Sequence, residues 1–265
     1  MAVTTLRKKA PAHKGMSDSE WRLRCDLAAC YQLMDLYGFT DLANNHISVR
    51  APGAEDHFLL NPYGVLYDQI TASCLLKVDV EGRVIEGEDD RLNRAGFVIH
   101  SAIHMAQRNM TCVMHTHTRA NNAVGALKEG LLPLNQKALT VMAVLRYHDY
   151  EGPSLELGER ERLLQHLGDG RVMVLRNHGA LSVGRSIAEA FAHMYRFEMA
   201  CQYQVDTLAC AAGGAHLNIP SKAIIKRSIE LAKKMLASGQ IMQTGREWPS
   251  LIAKLERERG TSYRT

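Results

Sequence analysis

The stretch Cys112-Val113-Met114-His115-Thr116-His117 runs an apolar strand into two histidines two residues apart. Side chains alternate between faces along a strand, so positions i and i+2 share a face and both imidazoles aim the same way if the strand persists to His117. Two neutral imidazoles side by side suit a borderline divalent ion, zinc first, with Mn²⁺ or Co²⁺ as alternatives. A third histidine, His178 in Arg176-Asn177-His178-Gly179, falls in the turn after the apolar run Val172–Leu175, where a loop on a rigid scaffold presents functional groups. Three imidazoles with an open fourth position are the pattern of a catalytic rather than a structural site. Histidines at strand ends also cap and hydrogen-bond, so the spacing by itself leaves that bland alternative open.

The elements that must position these residues are legible in outline. Ser17-Asp18-Ser19-Glu20 has capping-box spacing, and the apolar residues from Trp21 to Leu36 predict an amphipathic helix over about 17–38, stopped by Gly38. Between His46 and Gly87 short β-type runs (HISVR, HFLL, LLKVDV, RVIEG) alternate with Pro- and Gly-containing breaks, and KVDV-EG-RVIEG predicts a tight hairpin. Helical spacing returns from Arg94 to Gln107 and again over 119–128. A strand is expected around 141–147, a helix over 155–167, a short buried strand at 172–175, a turn at 177–179 and a strand at 180–183. Ser186 and Glu189 open a long helix to about Ala212, and Pro220 starts a last one ending at Gly239. This mixture without a regular repeat predicts an α/β domain, a sheet covered by helices, rather than a bundle or barrel.

Composition supports one domain. The chain has 265 residues, 46% apolar and 6% aromatic, enough for a sizeable core. We read 1–16 as a disordered basic arm, 17–240 as the domain and 241–265 as a charged tail with no element assigned. Four of the basic residues behind the net charge of +4 (Arg7, Lys8, Lys9, Lys14) sit in the arm, and the rest is near neutral, so no nucleic-acid surface is expected. The N-terminus lacks the apolar region of a secretory signal, and no apolar run approaches the roughly 20 residues that span a bilayer. The six cysteines are scattered with no C-x-x-C pair, the pattern of reduced thiols in a cytoplasmic protein.

Several blocks, in order, carry a family resemblance: NNHISVR (44–50), FLLNPYGVLYDQITAS (58–73), AGFVIHSAIHMAQRNMTCVMHTHT (95–118), GLLPLNQKAL (130–139), YHDYEGP (147–153) and VLRNHGALSVGRSIAEAF (174–191). Across roughly 18–235 the chain resembles the class II aldolase/adducin family, and in wording these blocks look more like the adducin head domain than the sugar-phosphate aldolases. The resemblance implies a three-layer α/β/α domain around a central, mainly antiparallel sheet, assembly as a homotetramer, and Zn²⁺ held by His115, His117 and His178.

The chain also departs from the aldolases. Where they carry a metal-ligating, acid/base glutamate, nineteen residues before the first metal histidine, this chain has Gly96. Where they bind phosphate through a Gly-Asn pair and a serine pair, it has Asn45-His46 and Arg94-Ala95. A sugar phosphate is therefore not the expected substrate, although Arg94 suits another anion such as a carboxylate. Proton transfer needs a replacement group, and Tyr147-His148-Asp149-Tyr150-Glu151 is the segment best stocked with titratable side chains; His148 is the first candidate and Tyr147 the second, against the plainer reading of a hydrogen-bonded turn. His100 is expected to make a buried hydrogen bond beside the site and His104 to be ordinary. Gly64 and Gly179 are read as turn glycines. The resulting expectation is a metal-dependent lyase acting on a small hydroxy-carbonyl or oxo-acid; the alternative is a non-catalytic, adducin-head-like assembly module that keeps a metal site.

Overall fold

The computed structural model describes residues 15–53, 56–152, 157–239 and 244–265. The basic arm before residue 15 therefore lies outside the described residues. Helix α1 (Asp18–Leu36) starts where the capping spacing places it, with the Ser17 hydroxyl accepting from the Glu20 amide at 3.2 Å. The reciprocal half of the box is not made. The Glu20 carboxylate instead takes Arg24, fully buried, and Lys77 at 2.8 Å, and Arg24 goes on to Glu86 and the Leu75 carbonyl. A buried guanidinium demands several acceptors, and supplying them outweighs a second cap bond.

Strands β1 (His46–Arg50), β2 (His57–Leu60), β3 (Leu76–Asp79) and β4 (Val84–Glu86) form a meander, and the predicted β3–β4 hairpin is present with a bulge at Lys77/Val78. After α2 (Arg94–Ala106), β5 (Cys112–Thr116) pairs antiparallel with β1. Then come α3 (Arg119–Gly125), α4 (Gln136–Met142), β6 (Leu145–His148), α5 (Leu157–Leu167), β7 (Val172–Leu175), β8 (Gly179–Gly184) and the long α6 (Ile187–Ala212). The strand expected around 141–147 is thus helix as far as Met142, because Asn135 caps α4 by accepting from the Ala138 amide; only its second half is strand.

The eight-stranded sheet has the order β4-β3-β2-β1-β5-β8-β7-β6, with every pair antiparallel except β6–β7. Alternation along the strands splits the core. Cys112, Met114, Val172, Val174 and Ala180 pack toward α1, α3, α4 and α6, whereas Val113, Met173, Leu181 and Val183 pack toward α2 and α5. This is the α/β/α layering and mainly antiparallel sheet that the sequence and the resemblance imply.

Beyond α7 (Lys222–Ala237), the charge-rich segment forms a further helix, α8 (Thr244–Arg259). It packs on α1 and α6 and buries Leu255, and beyond it Tyr263 is buried as well. Few apolar residues on one face suffice to dock a helix whose remaining surface is charged, which is why composition hid it. No described helix is long and apolar enough to cross a membrane.

Candidate metal centre and its pocket

Strand β5 delivers His115, and Thr118 ends it. The Thr118 hydroxyl accepts from the Asn121 amide to cap α3 and donates to the buried Glu198 carboxylate on α6, whose ionisation burial disfavours. His117 therefore sits just past the strand, its amide donating to Asn45 Oδ1 at 3.1 Å. It still meets His115, ring centres 4.4 Å apart. Between β7 and β8 the chain reverses through Arg176-Asn177-His178, with Asn177 left-handed at φ +56° and the His178 amide donating to the Leu175 carbonyl. That turn brings the His178 ring to 4.8 Å from His115 and 5.0 Å from His117.

One nitrogen of each of His115, His117 and His178 lies within 4.8 Å of the others. The hydrogen bonds choose which one. His115 Nδ1 donates to the Ala180 carbonyl at 3.0 Å, and His117 Nδ1 faces Asp41 Oδ2 at 3.4 Å, so in both rings the proton sits on Nδ1 and Nε2 keeps its lone pair. His117 Nε2 is buried and meets no donor or acceptor. An orphaned lone pair in a cluster of imidazoles kept neutral by burial is the donor set a borderline divalent ion fits. His178, more open, is still pushed down to about 4 by burial and by His117.

Gly179 belongs to this arrangement for a reason other than the expected one. Its φ is not left-handed; a Cβ there would lie 2.5 Å from the Thr116 carbonyl oxygen and 2.7 Å from His117 Cδ2. Glycine is required by close approach of the ligand rings. Gly64, at φ +85°, is the turn glycine the sequence suggests.

The three rings open into a cavity of about 600 Å³, lined also by Asp41, Asn44, Asn93, Asn122, Tyr150 and Asn177. Apart from Tyr150, which lies in the segment 147–151, sequence reasoning did not single out these polar residues as site candidates, because they come from separate parts of the chain. His46 lines the cavity as well, opposite Gly96. Of the other candidates, Arg94 opens α2 with an exposed side chain and does not line the cavity. Tyr147 points to the opposite face of the sheet, where its hydroxyl accepts from the Leu131 amide and Arg176 lies over its ring. His148 is buried, its Nδ1 2.8 Å from His166 Nδ1, and borders a small separate cavity that His178 and Tyr150 also touch. From the segment 147–151, the residue that lines the main cavity is Tyr150.

A trio of histidines that could hold a metal ion lies in an α/β/α sandwich, and comparison supplies the family. Residues 25–205 match the Class II Aldolase and Adducin N-terminal domain. The chain is 46% identical over 243 residues to a Caulobacter vibrioides protein named "Putative aldolase class 2 protein", covering 92% of each. It is 44% identical to the alpha-adducin of Rattus norvegicus over 74% of this chain and 27% of that protein. In structure it is similar to the L-fuculose 1-phosphate aldolase of Glaciozyma antarctica PI12, with 26% identity, 96% of each chain covered and a TM-score of 0.77. The chain belongs to the class II aldolase and adducin family.

Proposed function

We propose that this protein is a divalent-metal-dependent lyase of the aldolase type, making or breaking a carbon–carbon bond in a small hydroxy-carbonyl compound or oxo-acid. One observation carries the reading: three neutral imidazole nitrogens converge, with no partner for His117 Nε2, at the floor of an open polar cavity. When bound, the ion, Zn²⁺ before Mn²⁺ or Co²⁺, supplies Lewis-acid polarisation of a carbonyl. His115, His117 and His178 hold it, the Ala180 carbonyl and Asp41 fix the orientation of two of those rings, and the side-chain amides of Asn44, Asn93, Asn122 and Asn177 offer hydrogen bonds to polar substrate groups. Among the described residues no lysine or arginine lines the cavity, which supports a substrate other than a sugar phosphate. Assembly as a homotetramer belongs to the same reading, with light scattering as its measurement.

Gly96, which has no proton to give, favours a second reading, a non-catalytic adducin-head-like module whose metal supports the fold. The two separate experimentally. The zinc-loaded protein should cleave, or exchange protons of, at least one member of a broad aldehyde and oxo-acid panel. Complete inertness, combined with a large drop in melting temperature on chelation, would favour the module instead.

A further inference from the structure

The cavity contains a fourth histidine that the metal trio does not take in. His46 stands at the start of β1 as the direct cross-strand partner of His115, their rings 4.9 Å apart, and lines the cavity. Its Nδ1 is 2.8 Å from His100 Nε2; His100 Nδ1 is 2.7 Å from the Ser48 hydroxyl; and that hydroxyl is 2.7 Å from His104 Nε2. Every member of this chain is buried: His46 is 6% exposed, Ser48 1%, His100 2% and His104 0%. The geometry is a matter of two periodicities. His46 and Ser48, two apart on β1, share a face, and His100 and His104, four apart on α2, share the stripe that packs on it.

His46 also explains why residue 96 is glycine. A Cβ on Gly96 would lie 2.6 Å from His46 Cδ2 and 2.8 Å from Cε1, and nearer still to Nε2. The space a side chain at 96 would need is filled by the Nε2 edge of His46, and the two residues are one exchange.

The chain has one hydrogen per link, which allows two directions. In one, His104 donates to Ser48, Ser48 to His100, and His100 to His46, leaving an N–H on His46 Nε2. In the other, His46 Nδ1–H donates to His100, His100 Nδ1–H to Ser48, and Ser48 O–H to His104 Nε2, leaving a lone pair on His46 Nε2 and the His104 proton on Nδ1. In either direction His46 spends its Nδ1 on His100, the ring is held in one neutral tautomer, and its Nε2 is left to face the cavity.

We propose that His46 takes the place of the absent side chain at residue 96 and presents its Nε2 to the cavity as a hydrogen-bond partner for a substrate hydroxyl, with His100, Ser48 and His104 as positioning residues that fix its tautomer. The role rests on the reading of the cavity as a site for small hydroxy-carbonyl compounds, and it narrows that class to compounds with a hydroxyl beside the metal-binding carbonyl.

Hydroxypyruvate and pyruvate differ by that hydroxyl. The zinc-loaded protein should bind hydroxypyruvate more tightly by roughly 3- to 10-fold, the worth of one neutral hydrogen bond. His46→Phe, which keeps a ring in the space, should erase the preference. A preference that survives in the variant, or that is missing from the wild type, overturns the role. Binding of neither acid would sink the reading of the cavity itself. Two measurements need no substrate. Nitrogen-15 NMR of the zinc-loaded protein should show His46 as a single neutral tautomer, with Ser48→Ala mixing the two; a mixed or charged His46 ring in the wild type overturns the assignment. Gly96→Ala should lower the melting temperature in the wild type and much less in a His46→Asn background, whereas equal losses would show that the two residues do not share the space.

Discussion

Two groups of histidines meet at β1 and β5, and the same side chain does opposite things in them. In His115, His117 and His178, nitrogens turn toward one point, and His117 Nε2 finds no protein partner there. In His46, His100 and His104, nitrogens turn toward one another and toward Ser48 in a line, spent pairwise rather than aimed at one point, with His104 Nδ1 left without a partner at the far end. Burial keeps both groups neutral. The difference teaches that burial and residue type do not make a candidate ligand set; several ring nitrogens turned to one point do.

Removing a converging ring is the most severe way to test the contrast. His117→Ala should weaken zinc binding by more than the roughly 10–100-fold seen for residues that merely orient a ligand, whereas His104→Gln should leave zinc affinity within about threefold. Competition titration with a chromogenic chelator reads both, and similar losses would abolish the distinction.

Gly179→Ala probes how tightly the trio is packed. The new Cβ meets the Thr116 carbonyl oxygen and the His117 ring, so a cost of about 1–3 kcal/mol is expected in denaturant unfolding, together with weaker zinc binding. Unchanged stability would mean the turn relaxes freely.

Asp41→Asn is milder. Asp41 is 41% exposed and reaches His117 Nδ1 at 3.4 Å, so losing its charge should reduce zinc affinity by about tenfold without changing the fold. No effect at all would remove Asp41 as an orienting group.

Acid should act on the group around His104. Burial and nearby Arg50 hold the His104 ring at about 3 against its ordinary 6.5. Between those values the unfolded chain binds a proton that the folded chain refuses, so this stability is present above pH 6.5 and is lost as pH falls toward about 3. Urea midpoints at neutral pH and at about pH 4.5 should diverge less in His104→Gln than in the wild type. Identical slopes would place the acid sensitivity elsewhere, for example at His193, which burial lowers to about 4.

What could be read from the chain follows its local rules. Ser17 and Ser186 cap the helices the sequence starts there, and the candidate ligands it names, His115 and His117 at the end of an apolar run and His178 in the turn after Val172–Leu175, converge, although the strand stops at Thr116 and His117 lies past it. The acidic partners of the capping boxes were misjudged, since Glu20 and Glu189 spend their carboxylates on arginines. Segment 147–151 was too coarse a guide: a strand residue's face decides its role, and Tyr147 and His148 take opposite faces while Tyr150, beyond the strand, reaches the cavity.

Sequence by itself therefore determined three histidines as candidate ligands, a sheet covered by helices and the absence of a side chain at residue 96. Tertiary structure alone decided what fills that absence. His46 lies 50 residues from Gly96 in the chain, and only the β1–β5 register with α2 packed across it sets the two in one volume. Periodicity assigns each residue to a face, whereas the depth and neighbours on that face come from non-local pairing, which no single segment encodes.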